Sequence, residues 1–141
     1  MNIDTTFLRR CIGTLEHAFS GISEHGGAED FIYEIYRAAC VKEFELVLEQ
    51  SGKLLRKRLA AYFASNRQAD RIKFKDLFRH AAHHDLMDAE MVERWLHYRD
   101  IRNDTAHDYG EKFAETTLKL LPAFIADAKA LADVIEQAND G

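Results

Sequence analysis

The stretch RNDTAHDYG, residues 102–110, brings together an anion-binding arginine, a proton-transferring histidine and a tyrosine ahead of a glycine. Arg102 carries a planar guanidinium that can pair with two phosphate oxygens at once. His107 carries an imidazole whose ordinary pKa, about 6.5, suits it to take or give a proton near neutral pH. Tyr109 adds a hydroxyl group just before Gly110. These side chains form the candidate site, and the rest of the chain must position them.

The helical spacing of this stretch separates the arginine from the histidine. On a straight helix, side chains five residues apart point about 140° away from each other. One stripe collects Trp95, Tyr98, Arg102 and Tyr109, and a second collects Asp100, Asn103 and His107. We therefore expect the helix to loosen near Thr105, or the long arginine side chain to reach around it. The spacing alone also fits an ordinary helix end with a basic residue and a capping tyrosine.

Five helices are predicted to carry and surround this stretch. Apolar residues recur at three- and four-residue steps, and this pattern predicts helices over residues 4–24, 30–64, 74–84, 89–107 and from after Gly110 to 137. Residues 65–70 are predicted to form a loop. The sequence shows no alternating, β-branched pattern of the kind that strands have. We therefore expect an all-α, up-and-down antiparallel bundle of about five helices, as one domain over residues 1–141.

Individual residues mark the ends and the apolar faces of these helices. Asp4 or Thr5 is expected to cap the first helix and Asp88 the fourth, and Pro122 is expected to kink the last one. The apolar residues of the second helix are assigned to the core, among them Phe31, Ile35, Ala38, Phe44, Leu48 and Leu55. The carboxylates Glu43, Glu45 and Glu49 of the same helix are expected to face solvent.

Composition places the chain among globular proteins of a reducing compartment. Hydrophobic residues make up 47% of the 141 residues, which is enough for a packed core. No apolar run approaches the roughly 20 residues that span a bilayer, and the first residues do not resemble a signal peptide. Cys11 and Cys40 lack metal or redox spacing. We expect a cytoplasmic protein with two free, core-facing thiols and no membrane contact.

The charge is unevenly distributed along the chain. The net charge is −5, yet residues 53–79 hold nine Lys and Arg against two Asp. A basic stretch in an acidic chain could contact phosphates, and its first cluster consists of Lys53, Arg56, Lys57 and Arg58. The alternative is a solvated helix face whose charges balance acidic residues elsewhere in the fold.

A second candidate for chemistry is weaker. His80, His83 and His84 have the spacing of metal ligands on one helix face. Di-iron bundles require Glu-x-x-His pairs repeated on several helices. The sequence has no such pairs and no HExxH motif. The sequence also has no glycine-rich phosphate loop and no GxSxG. We therefore expect surface histidines, no metal site and no cofactor.

The pattern Arg-x4-His-x-Tyr, formed by Arg102, His107 and Tyr109, resembles the signature of the HEPN superfamily of small α-helical proteins. The segment YRAACVKEFELVLEQSGKLLRKRLAAYF resembles the long helix of its HepT-type branch, also called nucleotidyltransferase substrate-binding proteins. The segment FRHAAHHDLMDAEMVERWLHYRDIRNDTAHDY resembles the part leading into the motif, and the proline of the last helix fits too. The resemblance covers about residues 5–138. Ala106 departs from it, because serine is frequent there.

This resemblance implies a metal-independent ribonuclease. Arg102 and His107 would be its catalytic residues, and Asp100 and Asn103 would be supporting polar groups. The 2′-hydroxyl of RNA would be the nucleophile, the histidine would move protons, and the arginine would stabilise the charged phosphorus centre. A chain with one motif histidine would form its cleft as a homodimer. Lys53, Arg56, Lys57 and Arg58 would then lie along the RNA.

The resemblance also implies a partner that switches this site off. A minimal nucleotidyltransferase would act as antitoxin and transfer AMP to Tyr109, adding bulk and negative charge where RNA phosphate must bind. One alternative is a non-catalytic adaptor that presents a substrate to a nucleotidyltransferase. Another is a purely structural helical dimer.

Overall fold

The computed structural model describes residues 2–24, 31–104 and 111–137, and these residues contain helices and no strand. The helices are α1 (Thr6–Glu24), α2 (Phe31–Leu59), α3 (Asn66–Asp70), α4 (Phe74–His83), α5 (Ala89–Asp104) and α6 (Glu111–Gln137), with a 3₁₀ turn over Ala60–Tyr62 after α2. The prediction of an all-α, up-and-down bundle is confirmed. The prediction of a single domain over residues 1–141 stays a prediction.

The three long helices form the body of the bundle. Helices α1, α2 and α6 pack closely against one another, and α4 and α5 cover the second half of α2. An aromatic cluster fills the space where α2, α4, α5 and α6 meet. Its buried rings are Phe44, Phe78, Trp95, Tyr98 and Phe124, with neighbouring centroids 4.7 to 5.7 Å apart. Such offset and edge-to-face contacts fix the position of α5 on the bundle.

The helix starts follow the capping rules. The backbone N–H of Thr6 donates to Asp4 Oδ1 at 2.9 Å, and the N–H of Met91 donates to Asp88 Oδ1 at 2.8 Å. Each carboxylate satisfies an N–H that has no partner inside its helix. The predicted caps of the first and fourth helices are therefore confirmed.

The turn between α4 and α5 closes through a residue with positive φ. Asp85 has a φ of 60°, a conformation that Asp tolerates better than most side chains. The N–H of Leu86 donates to the carbonyl of Ala81, and that of Asp85 to the carbonyl of Ala82. This Schellman pattern ends α4, so α5 can turn back and pack on it.

Three expectations were wrong. Residues 66–70 form helix α3 and not a loop: Ser65 Oγ accepts from the N–H of Gln68, whose Oε1 accepts from the N–H of Ala64. Phe31 and Ile35 do not join the core, because 81% and 66% of their surfaces are exposed. Ala38 is exposed as well.

Other expectations fit the structure or stay open. Cys11 and Cys40 are free and buried, as expected. Pro122 lies inside α6, which continues through it from Glu111 to Gln137; its predicted kink stays a prediction. Among the described residues no helix is both long and apolar enough to cross a membrane.

Candidate functional site

Arg102 stands near the end of α5, one turn beyond the buried part of that helix. Trp95 and Tyr98 lie on the same stripe and are almost completely buried. The stripe predicted from the spacing is therefore the core-facing side of α5, and Arg102 is its continuation toward the surface. His107 and Tyr109 lie outside the described residues.

A partly buried ion pair holds α5 against α6 before Arg102. Arg94 donates from Nε to Asp127 Oδ2 at 2.8 Å and from Nη2 to Oδ1 at 3.0 Å. The hydroxyl of Tyr98 donates to the same carboxylate at 2.6 Å. Burial, and then this bond to Asp127, raises the pKa of Tyr98 well above its usual range, so the phenol stays protonated and keeps donating.

Arg102 turns toward α2 and meets a carboxylate there. Its Nε lies 3.6 Å from Glu45 Oε2, and both side chains are about one third exposed, at 35% and 28%. The expectation that Glu45 faces open solvent was wrong. Glu49 is exposed as expected, whereas Glu43 is half-buried.

A cavity of about 320 Å³ opens beside this ion pair, between α2 and α5. We call it the α2–α5 pocket; it is lined by Lys42, Glu45, Leu46, Leu48, Glu49, Arg99 and Arg102. Three bases and two acids thus surround it. Arg99 lies over the ring of Phe74, with its guanidinium carbon 4.8 Å from the centroid, and this cation–π contact holds the guanidinium in place. Lys42 is exposed.

The two residues named as supporting polar groups lie apart from this pocket. Asp100 Oδ1 pairs with Lys75 Nζ of α4 at 2.8 Å, and Asn103 is exposed at the end of α5. The structure thus directs Arg102 to α2 and Asp100 to α4, as their different helical stripes require.

The four bases of the first basic cluster do not form one surface. Lys53, Arg56 and Lys57 line a cavity of about 550 Å³ between α2, α3 and the N-terminal segment. Arg56 Nη1 donates to the carbonyls of Ala69 and Ile72 at 2.7 and 2.6 Å, so it ties α2 to the chain after α3.

Arg58 belongs to a different face of α2. Its guanidinium lies over the ring of Tyr62, 5.6 Å from the centroid. Only Lys53 and Lys57 of this cluster are exposed, which leaves them as its candidates for phosphate contact.

The three clustered histidines contact aromatic rings and one another. His84 stacks on Tyr62 at 3.8 Å, and His80 meets the edge of Phe63 at 5.2 Å. His83 lies against His84. Within the described part of the chain, no three His, Cys, Asp or Glu side chains come together as metal ligands.

Sequence reasoning missed Lys42, Glu45 and Arg99 as neighbours of the candidate site. One signal was present: Arg99 precedes Arg102 by three residues, so both must point to the same side of α5. Which residues of α2 they meet depends on how the two helices are packed, and a spacing within one helix does not give that.

The fold and the site define a class, a helical bundle of HEPN-like type with an arginine of the motif at the end of its fifth helix. The sequence pattern of the family described as nucleotidyltransferase substrate binding protein like matches residues 5–137. The chain therefore belongs to this family and is a HepT-type, HEPN-like protein.

Two similar proteins come from Haemophilus influenzae. "Probable ribonuclease HepT" is 28% identical over 102 residues, which cover 72% of this chain and 68% of that protein. The second is a solved structure described as the fold of a substrate binding domain of a nucleotidyltransferase. It superposes with a TM-score of 0.81 at 23% identity, over 94% of this chain and 98% of that one. At this identity the likeness shows the fold.

Proposed function

We propose that this protein is a metal-independent endoribonuclease in which Arg102 and His107 act on the scissile phosphate. The observation that carries the proposal is the position of Arg102, which stands at the surface end of a buried stripe and beside a pocket with two further bases. The similarity to a protein named probable ribonuclease HepT supports the same activity.

The chemistry needs only side chains and the RNA itself. The 2′-hydroxyl loses its proton to a base and attacks the adjacent phosphorus, and the bond to the 5′-oxygen breaks as that oxygen gains a proton. The product is a 2′,3′-cyclic phosphate and a free 5′-hydroxyl. Imidazole is suited to both proton transfers, and the guanidinium of Arg102 stabilises the charge that grows on the phosphate oxygens.

The proposal includes a homodimer, because the two proton transfers call for two groups and each chain has one motif histidine. An exposed apolar patch supports it: Phe31, Ile32 and Ile35 are all exposed at the start of α2. At about 100° per residue, Ile35 and Lys42 point to the same side of α2, about 10 Å apart. A second copy on this patch would therefore lie beside the α2–α5 pocket.

We further propose that the protein is the toxin of a toxin–antitoxin pair. A partner nucleotidyltransferase would silence it by transferring AMP to Tyr109. The new phosphodiester would sit two residues from His107 and would repel the RNA phosphate. The Tyr109→Phe variant is expected to cleave RNA as the wild type does, and the partner enzyme with ATP should add AMP only to the wild type. An inactive phenylalanine variant would instead make Tyr109 a catalytic residue.

A second function, that of a substrate-binding adaptor of a nucleotidyltransferase, is favoured by the family description and by the description of the solved structure. Cleavage separates the two functions. The purified protein should cleave single-stranded RNA, and His107→Ala and Arg102→Ala should each lose at least about 100-fold in rate. Their melting temperatures should match that of the wild type. An adaptor would leave RNA intact in all three samples.

A further inference from the structure

The α2–α5 pocket holds more positive charge than the proposed cleavage of a single phosphate uses. Arg102 is one of three bases that line it, and Lys42 and Arg99 are the others. The structure records no ion pair for Lys42 or Arg99 among the residues it describes. Arg99 is fixed by its contact with the ring of Phe74, 4.8 Å from the guanidinium carbon. Next to the motif arginine therefore stand one basic side chain held by an aromatic ring, Arg99, and one that is exposed, Lys42.

The charge balance of the pocket indicates what it can hold. Glu45 and Glu49 also line it, so the lining carries three positive and two negative side chains. Such a balance suits a singly charged phosphodiester. It disfavours the polyphosphate of a nucleoside triphosphate, whose three to four charges would meet two carboxylates.

The positions of the lysines along α2 indicate which phosphate of the RNA the α2–α5 pocket can bind. Lys42 and Lys53 point to the same side of α2, but they are about 16 Å apart along the helix axis. A strand whose cleaved phosphate lies at Arg102 would place its next phosphate within reach of Lys42 and Arg99. Lys53 and Lys57 could only contact nucleotides further along the strand.

We propose that the α2–α5 pocket binds the RNA backbone phosphate next to the one that is cleaved, with Lys42 and Arg99 as its ligands. This inference rests on the proposed ribonuclease function. Binding to a phosphate that does not react is the same in the ground state and the transition state. Its loss should therefore raise KM and leave kcat nearly unchanged.

The test measures binding of a fluorescent single-stranded 2′-O-methyl RNA, which cannot be cleaved because its 2′-oxygens are blocked. Lys42→Ala and Arg99→Ala should each weaken binding about 3- to 10-fold near 0.1 M salt. Each should also lower the slope of log K against log salt by about 0.7, the value for one lost contact to a single strand. Lys129→Ala is the matched control, because Lys129 pairs with Glu16 of α1 at 2.8 Å and should change neither quantity.

Three outcomes would overturn the inference. These are unchanged affinity and slope in both pocket variants, an equal loss in Lys129→Ala, or displacement of the RNA by ATP in the low millimolar range. Lys42 is exposed, so Lys42→Ala should keep its fold; a normal melting curve verifies this. Because the probe is not cleaved, loss of binding in these variants is measured independently of catalysis. Failure of the ribonuclease proposal would show in the wild type, as intact RNA in the cleavage assay.

Discussion

The ion pair between Arg102 and Glu45 places a carboxylate where an RNA phosphate would bind. Arg102 Nε and Glu45 Oε2 are 3.6 Å apart and both side chains are partly exposed. The carboxylate therefore competes with phosphate for the guanidinium, at a cost to RNA binding of the size of a surface ion pair, about 0.2 to 1 kcal/mol.

The Glu45→Gln variant is accordingly expected to bind the 2′-O-methyl RNA more tightly, by about 1.4- to 5-fold. Glu90→Gln is the control, since Glu90 lies in the first turn of the same helix as Arg102 and about 18 Å from it along the axis. Fluorescence anisotropy titrations measure the RNA affinity of both variants. Equal or weaker binding by Glu45→Gln would mean that the carboxylate orients Arg102 instead of competing for it.

At this scale the structure shows that α5 turns Trp95 and Tyr98 to the core, and the sequence predicted that Trp95, Tyr98 and Arg102 share one stripe of this helix. Helical spacing is enough for that, because a stripe follows from 3.6 residues per turn. The partner of Arg102 could not be predicted in this way. Glu45 lies on another helix, and the crossing of α2 and α5 depends on the aromatic rings packed between them.

The packing of α2 on α4 depends on the absence of a side chain at one position. A Cβ on Gly52 would lie 2.7 Å from Cε2 of Phe74, so the ring touches the backbone of α2. The same ring packs against Phe78 with centroids 4.8 Å apart and also contacts the guanidinium of Arg99. Gly52 therefore helps to place a basic side chain, Arg99, at the α2–α5 pocket.

The Gly52→Ala variant should lower the stability by about 1 kcal/mol. Displacing a packed ring costs about 1–3 kcal/mol, and the gain in helix propensity returns at most about 1 kcal/mol. It should also weaken RNA binding through Arg99. Gly13→Ala is the matched control: apart from its chain neighbours and the adjacent backbone of α1, no atom lies within 4 Å of its added Cβ, so this variant should be at least as stable as the wild type. Thermal melts compare them, and a stabilised Gly52→Ala would contradict the account.

A polar cluster joins the two ends of the described chain. Arg9 of α1 donates to Glu136 Oε1 and Oε2 of α6, each at 2.9 Å, and Thr5 donates to the same carboxylate. The bond from Arg9, and then that from Thr5, lowers the pKa of Glu136 from 4.5 to about 2. The charged form is thus the stabilising one.

The pH dependence follows from this direction. The stability from Glu136 is fully present above about pH 4.5 and is lost as the pH falls toward 2. At pH 7 the free energy of unfolding of Glu136→Gln should therefore be lower than that of the wild type by about 1 kcal/mol, the size expected for ion pairs as exposed as this one. The difference should shrink as the pH approaches 2. Glu16→Gln, which breaks only the exposed pair with Lys129, should match the wild type throughout; a gap that widens in acid would contradict the assignment.

Among the elements, the sequence predicted five of the six helices and missed α3. The missed helix carries the signal S-N-R-Q: Ser65 accepts from the N–H of Gln68, and Gln68 reaches back to the N–H of Ala64, an arrangement that resembles a capping box shifted by one residue. Its five residues are too few for an apolar stripe, so the periodicity that marks the long helices could not find it.

The outer face of α2 links the proposed activities across the whole molecule. The apolar patch, the α2–α5 pocket and the exposed Lys53 lie along this helix in that order, over about 33 Å from Phe31 to Lys53. Phe31 and Ile35 were assigned to the core because their spacing is helical. Their direction on the helix is nearly opposite to that of the buried Phe44 and Leu55, and this difference could have excluded them.

The patch yields a prediction about the assembly. The wild type should have twice the mass of the 16.2 kDa chain, and the double variant Phe31→Ser, Ile35→Ser should be a monomer that no longer cleaves RNA. Phe7→Ser is the control, because Phe7 is also half exposed but lies on α1. Light scattering after gel filtration gives the masses. A dimer that survives in the double variant would place the interface elsewhere.

The central claim, cleavage by the 2′-hydroxyl without a metal, is tested most directly by the ends of the RNA fragments. The wild type is incubated with a single-stranded RNA in excess EDTA, and the products are weighed by mass spectrometry. Attack by the 2′-hydroxyl should give fragments that end in a 2′,3′-cyclic phosphate, or in the monophosphate from its hydrolysis, and that begin with a 5′-hydroxyl. Fragments with a 5′-phosphate and a 3′-hydroxyl would contradict metal-independent cleavage by the 2′-hydroxyl. So would RNA that stays intact in the presence of EDTA but is cleaved when magnesium is added.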